Sequence, residues 1–172
     1  MTDIKSVLEP VDEQTPTMAD VTDAEALEIV ELLFFAYRDF ISDPDKQLAE
    51  YGFGRAHHRV LHFLRRNPGI RVADLLEILK ITKQSLGRVL KQLIDDGFVY
   101  QVEGPTDRRQ RLLHLTESGK SLAGALARPQ VTRVRAALQR ADPTARNALR
   151  DALFNLVDER ERPTVLRLVG RI

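Results

Sequence analysis

The chain of 172 residues contains no cysteine. Disulfides, thiolate metal sites, cysteine nucleophiles and thiol-based redox sensing are excluded together. No apolar run approaches the ~18–20 residues of a membrane-spanning helix. The first residues show neither the basic start nor the apolar stretch of a secretion signal, so a cytoplasmic protein without a membrane partner is expected. There is no phosphate-cradling glycine loop and no internal repeat. Ser85 and Ser118 have no histidine near them in sequence, and the adjacent acids Asp95 and Asp96 fall at a helix end. No enzyme constellation emerges and no cofactor is called for.

What is present is a hydrophobic content of 43%, enough for a real core. The net charge of +1 conceals a strong asymmetry. Residues 1–31 carry nine acids against one lysine, whereas residues 53–120 carry thirteen basic residues against seven acids. Residues 121–172 add ten arginines against five acids. An acidic arm ahead of a basic body points to a polyanionic partner for the body.

Residues 1–19, with Pro10 and Pro16 among scattered acids, read as a flexible acidic arm. A helix starts near Thr22, where Thr22 and Glu25 have capping-box spacing, and is expected to end before Pro44. It carries Leu27, Val30, Phe34, Tyr37 and Ile41 on one side and Leu32, Leu33, Phe35 and Phe40 on another, so it needs cover from two directions. A short helical turn over residues 46–51 leads to a helix over 55–66, stopped by Asn67-Pro68-Gly69. A short strand at 70–72, a brief helix over 73–79 and a helix over 82–96 follow, the last stopped by Gly97. Residues 98–102 and 111–115 form a hairpin around a tip at 104–110. A further helix runs from about 117 to 140, kinked or split by Pro129. Asp142-Pro143 caps the last clear helix, which carries Leu149, Leu153, Leu156 and Val157; Arg162-Pro163 breaks it, leaving a short apolar tail.

Helix, turn, helix and basic hairpin make a winged helix. On the 82–96 helix, Leu86, Val89, Leu90 and Leu93 share one inward arc at 100° per residue. Gln84, Ser85, Arg88, Lys91 and Gln92 fall opposite, with amide, hydroxyl and guanidinium groups of the kinds that read base edges and phosphates in a major groove. Thr82 and Lys83 sit at the helix N-terminus, where free N–H groups favour phosphate. The plainer alternative is a solvated face on which Lys91 pairs with Asp95. At the hairpin tip, Asp107 can accept hydrogen bonds and hold the turn, while Arg108, Arg109 and Arg111 supply positive charge for phosphate or a narrow minor groove. Which arginine takes which role is open at this point.

The opening Ile81-Thr82-Lys83-Gln84-Ser85, the closing Leu93-Ile94-Asp95-Asp96-Gly97-Phe98-Val99, the tip Asp107-Arg108-Arg109 and the following Leu115-Thr116-Glu117-Ser118-Gly119 together resemble the multiple-antibiotic-resistance regulator (MarR) family of winged-helix transcription factors. The resemblance covers about residues 22–160; residues 51–58 depart from the family's usual Gly-Leu-Thr-type start to the second helix. It implies a mainly α fold with a small β-hairpin. In that fold a winged helix-turn-helix over 53–116 is joined to dimerisation elements at 20–52 and 117–172. It further implies a homodimer on double-stranded DNA with a pseudo-palindromic site, Asp107 positioning Arg109 for the minor groove, and Thr82, Gln84, Ser85 and Arg88 facing the major groove.

His57, His58 and His62 form the remaining chemical cluster. His58 and His62, four apart on one helix, have spacing suited to two imidazole ligands of a zinc ion, with His57 beside them. The alternatives are structural histidines, or histidines lining a pocket for a small anionic or aromatic effector together with Tyr37 and Arg38. Two rival readings of the whole chain are a winged helix that docks on an acidic protein and a zinc-sensing regulator on the same scaffold. His114, on the returning hairpin strand, reads as a packing or hydrogen-bonding residue.

Overall fold

A computed structural model describes residues 21–170. The acidic arm expected at 1–19 therefore lies outside the described residues, as does the end of the apolar tail. The chain divides between Tyr37 and Arg38 into two compact units.

The first unit holds the N-terminal part of helix α1 (Asp23–Ala49). The capping box forms as expected: Thr22 donates from its N–H and Oγ1 to Glu25 Oε2 at 2.9 and 2.7 Å, and the Glu25 N–H donates back to Thr22 Oγ1 at 3.3 Å. The apolar side chains of this segment, among them Leu27, Leu32, Phe34 and Phe35, are exposed; Phe34 shows 70% of its surface.

In the second unit α1 does not stop before Pro44 but runs through it to Ala49, absorbing the separate turn expected at 46–51. A proline inside a helix removes one i→i−4 hydrogen bond and disfavours the helical conformation of the residue before it. Here tertiary packing overrides that preference, since Ile41, Pro44 and Leu48 are all buried. The carbonyl left without a helical partner, that of Phe40, accepts from Gln130 Nε2 at 3.5 Å.

The remaining elements are α2 (Arg55–Arg66), β1 (Ile70–Arg71), α3 (Val72–Leu79), α4 (Lys83–Asp95), β2 (Val99–Glu103), β3 (Arg111–Leu115), α5 (Glu117–Arg140), α6 (Ala145–Asn155) and α7 (Arg162–Val169). The expected hairpin, β2 with β3, pairs Val99 with Leu115 and Glu103 with Arg111. β1 adds to the free edge of β3 through Ile70↔Leu113, giving an antiparallel order β1-β3-β2. Leu61, Leu64, Leu75, Leu79, Leu86, Leu93, Leu113 and Leu126 are almost fully buried and form one core beneath the sheet and helices. Each such side chain contributes about 1.5–3 kcal/mol of transfer free energy.

One junction fixes how the wing sheet meets α5. Thr116 Oγ1 donates to the Gly97 carbonyl at 2.7 Å and accepts from the Gly119 N–H at 3.0 Å. The first turn of α5 thereby lies so close to β2 that a Cβ on Gly119 would stand 2.0 Å from the Phe98 carbonyl oxygen.

The C-terminal region differs from expectation in three places. α5 passes through Pro129 as one helix and is not split. α6 begins at Ala145, after Asp142 Oδ1 accepts from the Thr144 N–H at 2.8 Å, and its end at Asn155 leaves Leu156 and Val157 outside. The expected tail is helix α7, because Arg162-Pro163 opens a helix there: proline suits a first turn, where its missing N–H is not needed. α7 is tied back to the end of α3 by a Lys80–Glu161 ion pair of 2.9 Å.

Candidate nucleic-acid interface

The turn between α3 and α4 is set by Lys80, which ends α3 in the left-handed conformation at φ 52°. Thr82 then caps α4, its Oγ1 accepting from the Ser85 N–H at 3.1 Å and donating to Ser85 Oγ at 2.9 Å. Leu86, Val89, Leu90 and Leu93 are buried, as the wheel requires. Thr82, Lys83, Gln84, Ser85, Arg88 and Lys91 are all exposed on the opposite arc.

Two residues of that arc have partners. Lys91 pairs with Asp95 one turn along, and this hydrogen bond raises the lysine's pKa. Gln92, placed on the outer side by the wheel, is instead half-buried, with its Oε1 at 3.0 Å from His57 Nε2. His57 Nδ1 accepts from the Gly54 N–H at 3.1 Å, so the ring proton sits on Nε2 and is donated to Gln92. The ring also stacks on Phe53 at 4.7 Å. His57 thus joins the start of α2 to α4. The wheel could not show this, because Gln92 lies at the border of the inward arc and its partner is 35 residues away.

The wing tip is held from inside. Gly104 N–H donates to the Gln110 carbonyl and Gln110 N–H to the Asp107 carbonyl, both at 3.0 Å. Only glycine fits at 104, where a Cβ would meet the Asp107 carbonyl oxygen at 2.7 Å. Asp107 Oδ1 accepts from the Arg109 N–H at 2.9 Å. Arg111 turns back, donating to the Arg108 carbonyl at 2.8 Å and reaching Glu103 at 3.4 Å. The guanidinium groups of Arg108 and Arg109 are exposed and make no hydrogen bond or ion pair among the described residues. His114 stacks on Tyr100 at 5.3 Å across the hairpin.

The histidine trio is not brought together around one point. Both ring nitrogens of His57 are engaged as described. Burial lowers the His58 pKa, against a weaker opposing pull from Asp45 and a hydrogen bond with Gln130. Crowding by neighbouring atoms lowers that of His62, helped by His58, Arg66 and Arg65, although part of its surface stays open. His62 lines a groove of about 580 Å³ with Phe40, Val131, Val134, Leu138 and Arg135. Arg38 is exposed and pairs with Asp39 at 2.9 Å. Tyr37 is an exposed residue of the first unit. Among the described residues no group of three or more His, Asp or Glu is arranged to hold a metal ion. None of their helices is long and apolar enough to cross a membrane.

This arrangement has close counterparts. The MarR family model matches residues 51–110, the stretch from the start of α2 to the wing tip. The HTH-type transcriptional regulator PetP of Rhodobacter capsulatus is 46% identical over 142 residues, covering 83% of this chain and 86% of PetP. The chain belongs to the MarR family. It is a MarR-type transcriptional regulator. A putative transcriptional regulatory protein for the hcr operon of Thauera aromatica is 30% identical over 66% of this chain and 58% of its own length. The crystal structure of Streptococcus pneumoniae FabT in complex with DNA superposes with a TM-score of 0.66 at 19% identity, over 76% of this chain and 94% of FabT. That likeness shows the MarR fold.

Proposed function

We propose that this MarR-family regulator binds a pseudo-palindromic operator as a homodimer, with half-site centres about one helical turn apart. Thr82, Lys83, Gln84, Ser85 and Arg88 face the major groove, and the wing reaches the neighbouring minor groove with Arg109. Lys91 stays at the edge of this face and exchanges Asp95 for phosphate. The observation that carries the reading is the division of labour at the wing tip. Asp107 and Arg111 bond inward and shape the turn, while the guanidinium groups of Arg108 and Arg109 have no partner among the described residues.

The dimer is supported by the apolar side chains left exposed on separate parts of the chain. α1 presents Leu27, Phe34 and Phe35, and the C-terminal helices present Val131, Leu149, Leu153 and Leu166. Isolated exposed apolar residues are ordinary, but whole helix faces of them mark an interface. The operator is taken to be met in the cytoplasm.

Selection of bound fragments from genomic DNA tests the main reading. An enriched inverted repeat, bound with an affinity that falls steeply as salt rises, is the expected result. Absence of any sequence preference would leave the alternative of a winged helix docking on an acidic protein.

An effector is supported by the groove beside His62, whose walls are apolar at Phe40, Val131 and Val134 and carry Arg135 and Gln130. Such a lining fits a small amphipathic anion. An effector acts only if it binds the operator-competent arrangement and its alternative with different affinity. Operator binding that responds to zinc or chelator, and loses the response in His58→Ala, would favour the zinc-sensing alternative instead.

A further inference from the structure

Glycine in a helix interior destabilises it, because it loses more backbone freedom than other residues and offers no side chain to pack. Gly119 and Gly104 have their reasons inside the chain, since a Cβ at either position would strike a carbonyl oxygen. Gly87, in the middle of α4, has none, a property it shares with Gly124 of α5. It is exposed, its backbone is not left-handed, and a Cβ there would meet nothing within 4 Å. Nothing in the fold asks for a missing side chain at this position.

The surroundings of Gly87 are cationic. Lys83 lies one turn before it and Lys91 one turn after, with Gln84 and Arg88 beside it on the exposed arc. Lys83, Gly87 and Lys91 also line a cleft of about 950 Å³ shared by α4, the wing and the start of α3, with Arg109 and Arg111 from the wing, Arg71 from β1, and an apolar floor that includes Leu76 and Leu90. Asp95, paired with Lys91, is the acid of that lining. A helix in a major groove and a wing in the adjacent minor groove are separated by one sugar–phosphate strand. That strand must pass through this cleft.

We propose that Gly87 is the point of closest approach between α4 and the sugar–phosphate strand passing between helix and wing, and that the missing side chain lets the strand settle between Lys83 and Lys91. The inference rests on the reading of α4 and the wing as DNA contacts. The contact is made to the backbone, so it sets the depth at which α4 sits in any duplex rather than the choice of bases.

The test uses the full-length protein with Gly87→Ala and Gly87→Leu, both side chains being good helix formers. Gly87→Ala is expected to raise Tm by about 2–4 °C, the gain of replacing an exposed helix glycine in a domain of this size. The same substitution is expected to weaken operator binding roughly tenfold, and Gly87→Leu further, because the added atoms meet a strand that has no room to retreat. An unrelated duplex, measured at low salt, should lose affinity in parallel. Gly124→Ala serves as the control. Gly124 is an α5 glycine away from this face, also with nothing within 4 Å of a Cβ, and its variant should leave both affinities unchanged. Unchanged operator affinity in Gly87→Ala overturns the proposal. A loss confined to the operator places a base edge at Gly87 and overturns the backbone assignment. If Arg88→Ala and Arg109→Ala also leave operator binding intact, the reading of the whole face fails and Gly87 falls with it. If those two variants weaken binding and Gly87→Ala does not, only the present inference fails.

Discussion

The side-chain amide of Gln130 donates to the main-chain carbonyl of Phe40 at 3.5 Å, replacing the N–H that Pro44 cannot supply. A residue of α5 thereby satisfies the backbone of α1 at the place where α1 would be expected to end. Gln130 also bonds His58, so one amide serves α1 and α2 together.

Gln130→Leu should cost about 1 kcal/mol of stability, mostly from the orphaned Phe40 carbonyl. Introducing Pro44→Ala restores an N–H in the helix and should shrink that cost. Urea unfolding of the single and double variants measures the coupling. A value indistinguishable from zero, within about 0.3 kcal/mol, would show that the two residues do not share this carbonyl.

Arg109→Ala should weaken operator binding about tenfold or more and lower its salt dependence, whereas Arg88→Ala should relax base preference at one position by about 1–3 kcal/mol. Asp107→Ala keeps both arginines but frees the tip, and should fall between wild type and Arg109→Ala. Titrations of operator and single-base variants at two salt concentrations separate these outcomes. Equal losses on every sequence for Arg88→Ala would move that residue from base to phosphate.

Acidification should destabilise the fold. His58, half-buried, is held below the ordinary imidazole range mainly by burial, and the more exposed His62 by crowding of neighbouring atoms together with the charges of His58, Arg66 and Arg65. Between the lowered folded value and the unfolded value near 6.5, the unfolded chain binds more protons, so stability rises with pH through that window. This contribution is complete above about pH 6.5 and is lost as pH falls through the folded values. Thermal unfolding from pH 8 to pH 5 should show Tm falling below about 6.5, and His58→Gln should flatten the slope. A Tm that climbs on acidification in this range would contradict the sign.

Gly119→Ala should cost about 3 kcal/mol or more, since a methyl 2.0 Å from the Phe98 oxygen forces α5 away from the sheet. Circular dichroism melts of this variant beside Gly124→Ala distinguish a steric cost from a general response to changing glycine in α5. Similar melts for the two would remove the argument.

The sequence made α4 and the wing tip, the elements proposed to face DNA, readable as structure because each is local. The α4 wheel, Gly97 as its stop and the Asp107-Arg108-Arg109 tip depend on residues within one or two turns of each other. The misreadings are of another kind. α1 passes Pro44 because Ile41, Pro44 and Leu48 are buried against elements far along the chain, and Gln130 is 90 residues from Phe40. Periodicity gives an angle but not a partner, so it places Gln92 outward, whereas His57 takes it inward. Proline punctuates both ends of helices, so Arg162-Pro163 alone does not distinguish the end of α6 from the start of α7.

The inward bonds of the wing have a kinetic and entropic consequence. With Gly104, Gln110, Asp107 and Arg111 already joined, the tip is a preformed finger, and in the proposed operator complex it enters the duplex in that shape. Little backbone freedom remains to be lost there on association, so the contacts proposed for Arg108 and Arg109 would not be offset by ordering a loop. Loosening the tip would therefore shorten the residence time on DNA even though every contacting side chain was still present.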